Sequence, residues 1–401
     1  MRRYLVLMTA TALTACGAGG ALTAGGTAVG TGGAGTGTGA GGTTTPTKYT
    51  EFASPTTDHS YTGVGGTHTY SYQKDQAGVS QYSQLYQGNA EKLTDNAVTI
   101  SYSARDGIFT LAVADTKSGA TSTTRFQDPA HRIDLDNRIP DLSASNVRYL
   151  EVGSGTGVPY EPGSNFTTTT LFYEVPGTTT KYVSFAGYLR NVVSTATTTV
   201  GTNTFVQDTN LIDRGAFAYG VLTDAANIPT SGSGTYSGSM LASMVNSPAT
   251  NPSYFQWIYG TSSTTVDFGT NKINVALAGT VMTTETDHMT SGSAFIPDGS
   301  KFAANASGAL STIGLKGFSG TFSDATFTSA SGTVLEHLTP PTSTSEIVAS
   351  RVLPEIVIAA SSFDGNFYGP KGEELGGGFR IIGGGPTQRI DILGAFTGKG
   401  N

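Results

Sequence analysis

From Tyr49 onward, apolar and polar residues alternate with a period of two, and Gly, Asn or Asp interrupts the pattern every few residues. In an extended chain successive side chains point to opposite faces, so this period specifies half-buried β-strands rather than amphipathic helices. His68-Thr69-Tyr70-Ser71-Tyr72 alternates in this way. So does Arg132-Ile133-Asp134-Leu135-Asp136, with its charges on one face and Ile and Leu on the other. Val98–Tyr102 and Ile108–Val113 are separated by Arg105-Asp106-Gly107, and Asp-Gly is a strong hairpin signal. Short apolar runs continue through Leu171–Tyr173, Tyr182–Phe185, Ala216–Tyr219, Phe255–Tyr259, Val266–Phe268, Ile273–Leu277 and Arg389–Ile392. Many short strands with regular turns predict an all-β sandwich or barrel.

Composition narrows the class. Charged residues make up 13% of the 401, about half of the ~25% usual in soluble domains, so the chain is not one held open by self-repulsion. Its 54 Gly follow no strict period of three, which excludes a collagen-like helix. The net charge is −7, and loss of Arg2 and Arg3 with a leader takes it to −9. With no basic stripe to displace phosphate counterions, nucleic acid is excluded as a partner.

Met1-Arg2-Arg3 is a short positive start, Tyr4–Leu13 is mostly apolar, and small residues precede Cys16, the only cysteine of the chain. One cysteine allows neither a disulfide framework nor a cysteine metal site. The pattern reads as a secretory signal over residues 1–15. It resembles the lipobox of bacterial lipoproteins, in which the cysteine becomes residue one and is acylated. That resemblance implies lipidation of Cys16 and attachment by acyl chains, since the apolar run is shorter than the ~20 residues a spanning helix needs. Gly17 follows the cysteine. An Asp there is the inner-membrane retention signal of such lipoproteins, so its absence points to the outer membrane. Residues 17–48 hold 13 Gly among mostly Ala and Thr. Such a chain is a flexible tether averaging roughly 30 Å end to end. Gly37–Gly42 matches the dinucleotide pattern GxGxxG, but no strand precedes it and no helix follows, so the match carries no cofactor.

The polar, turn-rich stretch Thr197–Asn203 suggests a boundary. A β-rich domain is expected over 49–205 and a second β domain over 214–401.

The last forty residues carry a specific pattern. Phe363-Asp364-Gly365-Asn366-Phe367-Tyr368-Gly369-Pro370 leads to Glu374-Leu375-Gly376-Gly377-Gly378-Phe379, and the chain closes through Leu393-Gly394-Ala395-Phe396-Thr397-Gly398-Lys399. This resembles the carboxy-terminal β-barrel of the transferrin-binding protein B family, which closes on a G-x-F-Y-G-P-x-A-x-E-L-G-G-x-F run. Gly372 stands where that family usually has Ala. Pro370 suits the first position of a helical turn and Gly376 its left-handed cap. Arg214–Gly220, Ile228–Gly238 and Val266–Gly269 look like the opening half of the same barrel. The resemblance implies an antiparallel eight-stranded barrel after a handle-like domain, with residues 49–205 fitting the handle only in being β-rich.

Catalytic signatures are missing. The sequence has no GxSxG and no HExxH. Gly394–Gly400 is one residue short of a phosphate loop, and Asp134-Leu135-Asp136-Asn137-Arg138 places Arg where a calcium loop needs an oxygen ligand. No catalytic residue, metal site or cofactor is expected. His59, Tyr61, His68, Tyr70 and Tyr72 lie close in sequence. Tyr and His can ligate haem or ferric iron, and the same residues can equally form a packed tyrosine-rich strand face. Tyr254, Phe255, Trp257 and Tyr259 are the densest aromatic cluster. Phe255, Trp257 and Tyr259 share one strand face, which is either barrel core or an interface anchor. The ligand-binding candidates are therefore Tyr254, Trp257, His68 and Tyr70. Glu373 and Glu374 read as an exposed pair on a short turn.

The family resemblance implies a surface-exposed, lipid-anchored outer-membrane protein. It would bind an iron- or haem-carrying protein, or another solute, with its loops and pass the cargo to a TonB-dependent outer-membrane receptor. The alternative is an adhesin or host-factor-binding lipoprotein.

Overall fold

The computed structural model describes residues 58–75, 83–84, 90–114, 120–126, 139–142, 145–158, 161–177, 179–248, 254–286, 296–311, 317–340, 356–385 and 388–401. The signal, Cys16, the tether and the 132–136 alternation lie outside them. Among the described residues eighteen strands form two sheets.

The first sheet is handle-like. It runs in the order β5(Thr121–Phe126), β4(Ile108–Ala114), β3(Ala90–Ser103), β1(His59–Asp75), β9(Asn203–Gly220), β8(Val183–Val200), β7(Asn165–Glu174), β6(Val147–Thr156), with β2(Ser83–Gln84) paired to β1. All its pairings are antiparallel. The expected hairpin at Asp106-Gly107 forms between β3 and β4. The sheet curls until β5 and β6 meet. Its inner face becomes a core of Tyr61, Ile100, Leu111, Phe126, Leu150, Leu171, Phe217 and Tyr219 among others.

The division expected between 205 and 214 falls inside β9. Thr197–Asn203 is no linker. It is the tip of the β8–β9 hairpin, in which Val200 faces Asn203 across Gly201-Thr202. Thr is β-branched and favours strands, and Gly201 takes φ 64, the positive φ that a two-residue hairpin turn requires. Arg214–Gly220 therefore belongs to the handle sheet and not to the barrel.

The second sheet is a closed barrel of β10(Ser233–Pro248), β11(Tyr254–Asp267), β12(Lys272–Thr286), β13(Lys301–Leu310), β14(Phe318–Thr328), β15(Val334–Thr339), β16(Ile356–Tyr368), β17(Glu374–Gly384) and β18(Gln388–Gly400). Eight of these strands make the wall. β14 pairs directly with β16 at Phe318–Gly320, and the short β15 wedges between them at one end. There Gln388 Nε2 donates to Glu336 Oε1 at 2.5 Å. β10 and β18 close the ring from Tyr236↔Gly400 to Pro248↔Gln388.

The barrel interior is solid. Phe302, Phe318, Phe322, Phe327, Phe363, Phe367, Phe379 and Phe396 fill it together with Met, Ile and Val side chains. Neighbouring rings sit 5.1 to 6.2 Å apart in tilted or edge geometry, the arrangement their quadrupoles favour. Each buried Phe contributes about 1.5–3 kcal/mol.

β18 is buried on both faces. Ile390, Ile392 and Phe396 point into the barrel, while Leu393 and Ala395 point at the handle. The turn from Tyr368 to Glu374 is a tight hairpin connection and not a helical one. Gly369 and Gly372 take the positive φ values there, and Gly376 lies within β17.

Candidate ligand-binding site

Three of the four sequence candidates meet in space, and they meet in the seam between handle and barrel. Leu241, Val245, Phe255, Trp257, Leu393 and Ala395 of the barrel wall pack on Val64, Tyr70, Phe172, Phe185, Leu189, Ile212, Ala216 and Ala218 of the handle. Period-two alternation sends Ile258 and Met244 inward and leaves Phe255, Trp257 and Val245 outside for the handle to cover. The aromatic face, read as either barrel core or an interface anchor, is thus core, but on the outer side of the wall.

Trp257 is fully buried. Phe172 stands edge-on to it at 5.1 Å, and the Arg214 guanidinium lies 4.5 Å above its ring. That is close enough for a desolvated cation–π contact. Arg214 also donates from Nη2 to the Gln256 carbonyl at 2.7 Å. Tyr70 stacks on Phe255 at 4.0 Å with 10° between the planes. His68 is buried beside them, its Nε2 3.1 Å from the Ser243 carbonyl of β10. A carbonyl only accepts, so Nε2 carries the proton of the neutral ring. Burial, and then the nearby Arg214, Arg380 and Arg389, push the His68 pKa down to about 3, against the pull of the Ser243 hydrogen bond. Of Tyr254 only the backbone is described; it starts β11.

These positions correct the sequence reading. At 0 to 5% exposure, Trp257, His68 and Tyr70 form no accessible binding face. Among the described residues no three His, Cys, Asp or Glu side chains gather closely enough to hold a metal ion.

The other end of the seam holds a residue that the sequence reading placed in solvent. Glu374 is 1% exposed. Its carboxylate accepts the backbone N–H groups of Lys181 at 2.6 Å, Tyr182 at 2.7 Å and Val183 at 3.1 Å, which ties β17 to the start of β8. Burial raises its pKa although the three amides favour the charged form. Glu174, at the end of β7, reaches across to Ser239 of β10 at 3.3 Å and is likewise raised by burial. Between these anchors the two sheets touch backbone to backbone. A Cβ on Gly378 would lie 2.5 Å from the Gly65 Cα, and one on Gly376 would lie 2.7 Å from Val183 Cγ2. The Gly376-Gly377-Gly378 run is where the barrel wall meets the handle. The signal for this was available in Ala216, Ala218 and Gly65, small residues spaced two apart on the facing strands.

Past Leu189 and Ile212 the barrel-facing side of the β8–β9 hairpin turns polar. Asn191 Nδ2 donates to Asn210 Oδ1 at 3.1 Å, and Thr195 Oγ1 donates to Asp208 Oδ1 at 2.6 Å. The strand ends Pro248, Tyr254, Thr286, Gly384 and Gln388 lie at this same end, the end opposite Glu374.

Residues 228–400 match the family described as the C-lobe and N-lobe beta barrels of Tf-binding protein B. Over these residues the barrel is similar to the barrels of that family. The match covers the barrel strands and starts beyond Arg214–Gly220, in agreement with the place of that block in the handle.

The chain is also similar to solved transferrin-binding protein B structures. A double mutant from Haemophilus parasuis Hp5 is 13% identical, with 86% of this chain and 76% of that one covered at a TM-score of 0.28. The intact two-lobed Ap-TbpB is 9% identical, with 86% and 78% covered at 0.28. The isotype 1 protein of serogroup B Neisseria meningitidis is 10% identical, with 86% and 77% covered at 0.23. At these scores the likeness to the family rests on the match over residues 228–400. No curated protein matches the chain.

Proposed function

We propose that this chain is a surface lipoprotein of the outer membrane, acylated at Cys16, that captures a protein ligand by binding and without chemistry. The ligand class is an iron- or haem-carrying protein of the transferrin type, and the cargo passes to a TonB-dependent receptor. The observation that carries this reading is the family match over 228–400. The filled barrel supports it. With nine Phe side chains in the core that closes the interior, binding energy has to come from the surface, where connecting segments carry function on rigid scaffolds. The contact region is the end of the molecule where the β8–β9 tip and the strand ends at Pro248, Tyr254, Thr286, Gly384 and Gln388 lie.

The test is capture by the detergent-solubilised lipoprotein, using iron-loaded transferrin, iron-free transferrin and haem-carrying serum proteins as separate baits. Retention of one iron or haem carrier supports the reading. Retention of none of them, with recovery of a host regulator instead, makes it an adhesin. Anchoring is tested separately. Cys16→Ser moves the protein from the membrane fraction to the soluble fraction if the cysteine is acylated, and leaves it with the membrane if it is not.

A further inference from the structure

We infer that the outer face of the handle carries a separate binding site, in which Asp58, Thr110 and Arg125 take the hydroxyl groups of a neutral sugar.

The site is built by register. Ser60 of β1 stands opposite Ser101 of β3, Ser101 opposite Thr110 of β4, and Thr110 opposite Arg125 of β5. Side chains directly opposed in a sheet share one face and lie about 5 Å apart. Their strand neighbours Tyr61, Ile100, Leu111 and Phe126 belong to the core inside the curl, so period two turns this row outward. The row lies in a depression of about 380 Å³ with Asp58, Asp106 and Ile108 among its walls. That is near the lower limit for small-molecule sites and gives room for about one or two sugar rings. The depression lies where β1 begins, at the end of the handle away from the β8–β9 tip. It is therefore distinct from the contact region proposed above and does not depend on it.

The groups on offer select the ligand. Asp106 is already paired with Arg105 at 2.9 Å. Asp58 accepts the Ala104 N–H on Oδ1 at 2.8 Å, which fixes the carboxylate and leaves Oδ2 to accept a second donor. Ser60 and Ser101 join their hydroxyls at 3.2 Å. Among the described residues the Thr110 and Arg125 side chains make no hydrogen bond or ion pair. His59 and Tyr102 turn their rings to the inner face, where they meet Tyr61 and Phe109.

Two carboxylates thus stand against two guanidiniums. An anion drawn to Arg125 also meets Asp58 and Asp106, and a cation drawn to Asp58 also meets Arg105 and Arg125. A neutral polyol meets no such opposition. Adjacent sugar hydroxyls can donate to Asp58 and accept from Arg125 and Thr110 at once, while the half-buried Ile108 faces the ring carbons.

The experiment is saturation-transfer NMR on the full chain with free monosaccharides as probes. Glucose, galactose, mannose and N-acetylglucosamine are the neutral set, and glucuronate and glucosamine the charged one. At least one neutral sugar should bind in the millimolar range, tenfold or more tighter than either charged sugar. Arg125→Gln and Thr110→Val should each weaken it tenfold or more, while Lys301→Gln on the barrel wall should leave it unchanged. Circular dichroism checks the fold of each variant, and if Thr110→Val does not fold, the exposed Arg125→Gln decides alone. Competition names the source of the sugar. Delipidated lipopolysaccharide displaces the probe if the ligand belongs to the bacterial surface, released serum-protein glycans displace it if the ligand belongs to a glycoprotein, and displacement by neither leaves the free saccharide. Saturation of no neutral sugar, binding of a charged sugar as tight or tighter, or binding that survives Arg125→Gln overturns the site.

Discussion

The barrel and the handle solve the same problem in different ways. The barrel closes on itself and keeps its main core inside. The handle curls without closing. One face makes a core of its own, and the other is buried only because the barrel is there. The difference shows in what each strand must satisfy. A barrel strand such as β13 alternates one buried with one exposed residue over Lys301–Ala306, whereas β18, β8 and β9 are buried on both faces where the two layers meet. A closed sheet tolerates variation on its outside, and a shared face does not.

The sharpest way to break the comparison is to charge the barrel interior. Ile392 is fully buried there. Ile392→Asp should cost on the order of 4 kcal/mol or more, because a carboxylate enters an apolar site without a partner. Chemical denaturation measures it, and a loss under about 1 kcal/mol would show that β18 is looser than described. Next comes the contact between the layers. Gly378→Val drives side-chain atoms into the Gly65 backbone, and overpacking of this kind should cost about 2–3 kcal/mol. The barrel can survive it by moving off the handle, so the expected signature is a red-shifted Trp257 in a protein that is still β by circular dichroism.

Acid should act on the seam with a similar size. The His68 pKa is lowered from 6.5 to about 3, so the stability it confers is present above 6.5 and is lost as pH falls. Between pH 7 and 5 the loss is about 2 kcal/mol. Glu174 and Glu374 are raised by burial, so their contribution runs the opposite way and is lost as pH rises through their folded values. The difference between native protein and His68→Gln in denaturation midpoint against pH isolates the histidine. The smallest effect is expected at the hairpin tip, where the Thr199 hydroxyl meets Thr204 at 3.1 Å in solvent. Thr199→Ala should stay within about 0.5 kcal/mol, and a larger loss in thermal unfolding would mean that the tip is packed.

The same contrast explains what could be read from the sequence. The barrel announced itself because closure demands particular residues at particular places. Tyr368-Gly369-Pro370 turns the chain, and the run from Glu374 to Phe379 meets another backbone. The acidic residue at the head of that run was misplaced for a physical reason. Adjacent Glu373 and Glu374 look like one solvated pair, but at a strand start they point to opposite sides. Only Glu374 finds three amide donors, from a chain segment nearly two hundred residues away. The role of His68, Tyr70 and Trp257 was hidden likewise. Alternation reveals which residues share a face but not which layer covers it. An aromatic strand face on a barrel wall reads the same whether it waits for a ligand or is already occupied by a second sheet. The boundary inside β9 failed because a run of Thr before Gly looks like a linker, and becomes a hairpin tip only through the strand that pairs with it.

The central claim is that the aromatic face carrying Trp257 joins handle to barrel and is not open to a partner. The most direct test is acrylamide quenching of Trp257 in the full chain at neutral pH, where no other tryptophan contributes. The account predicts blue-shifted emission with little quenching. A Trp257 that is freely quenched in the folded protein would place that face in solvent, contradict the seam and restore it as a binding surface.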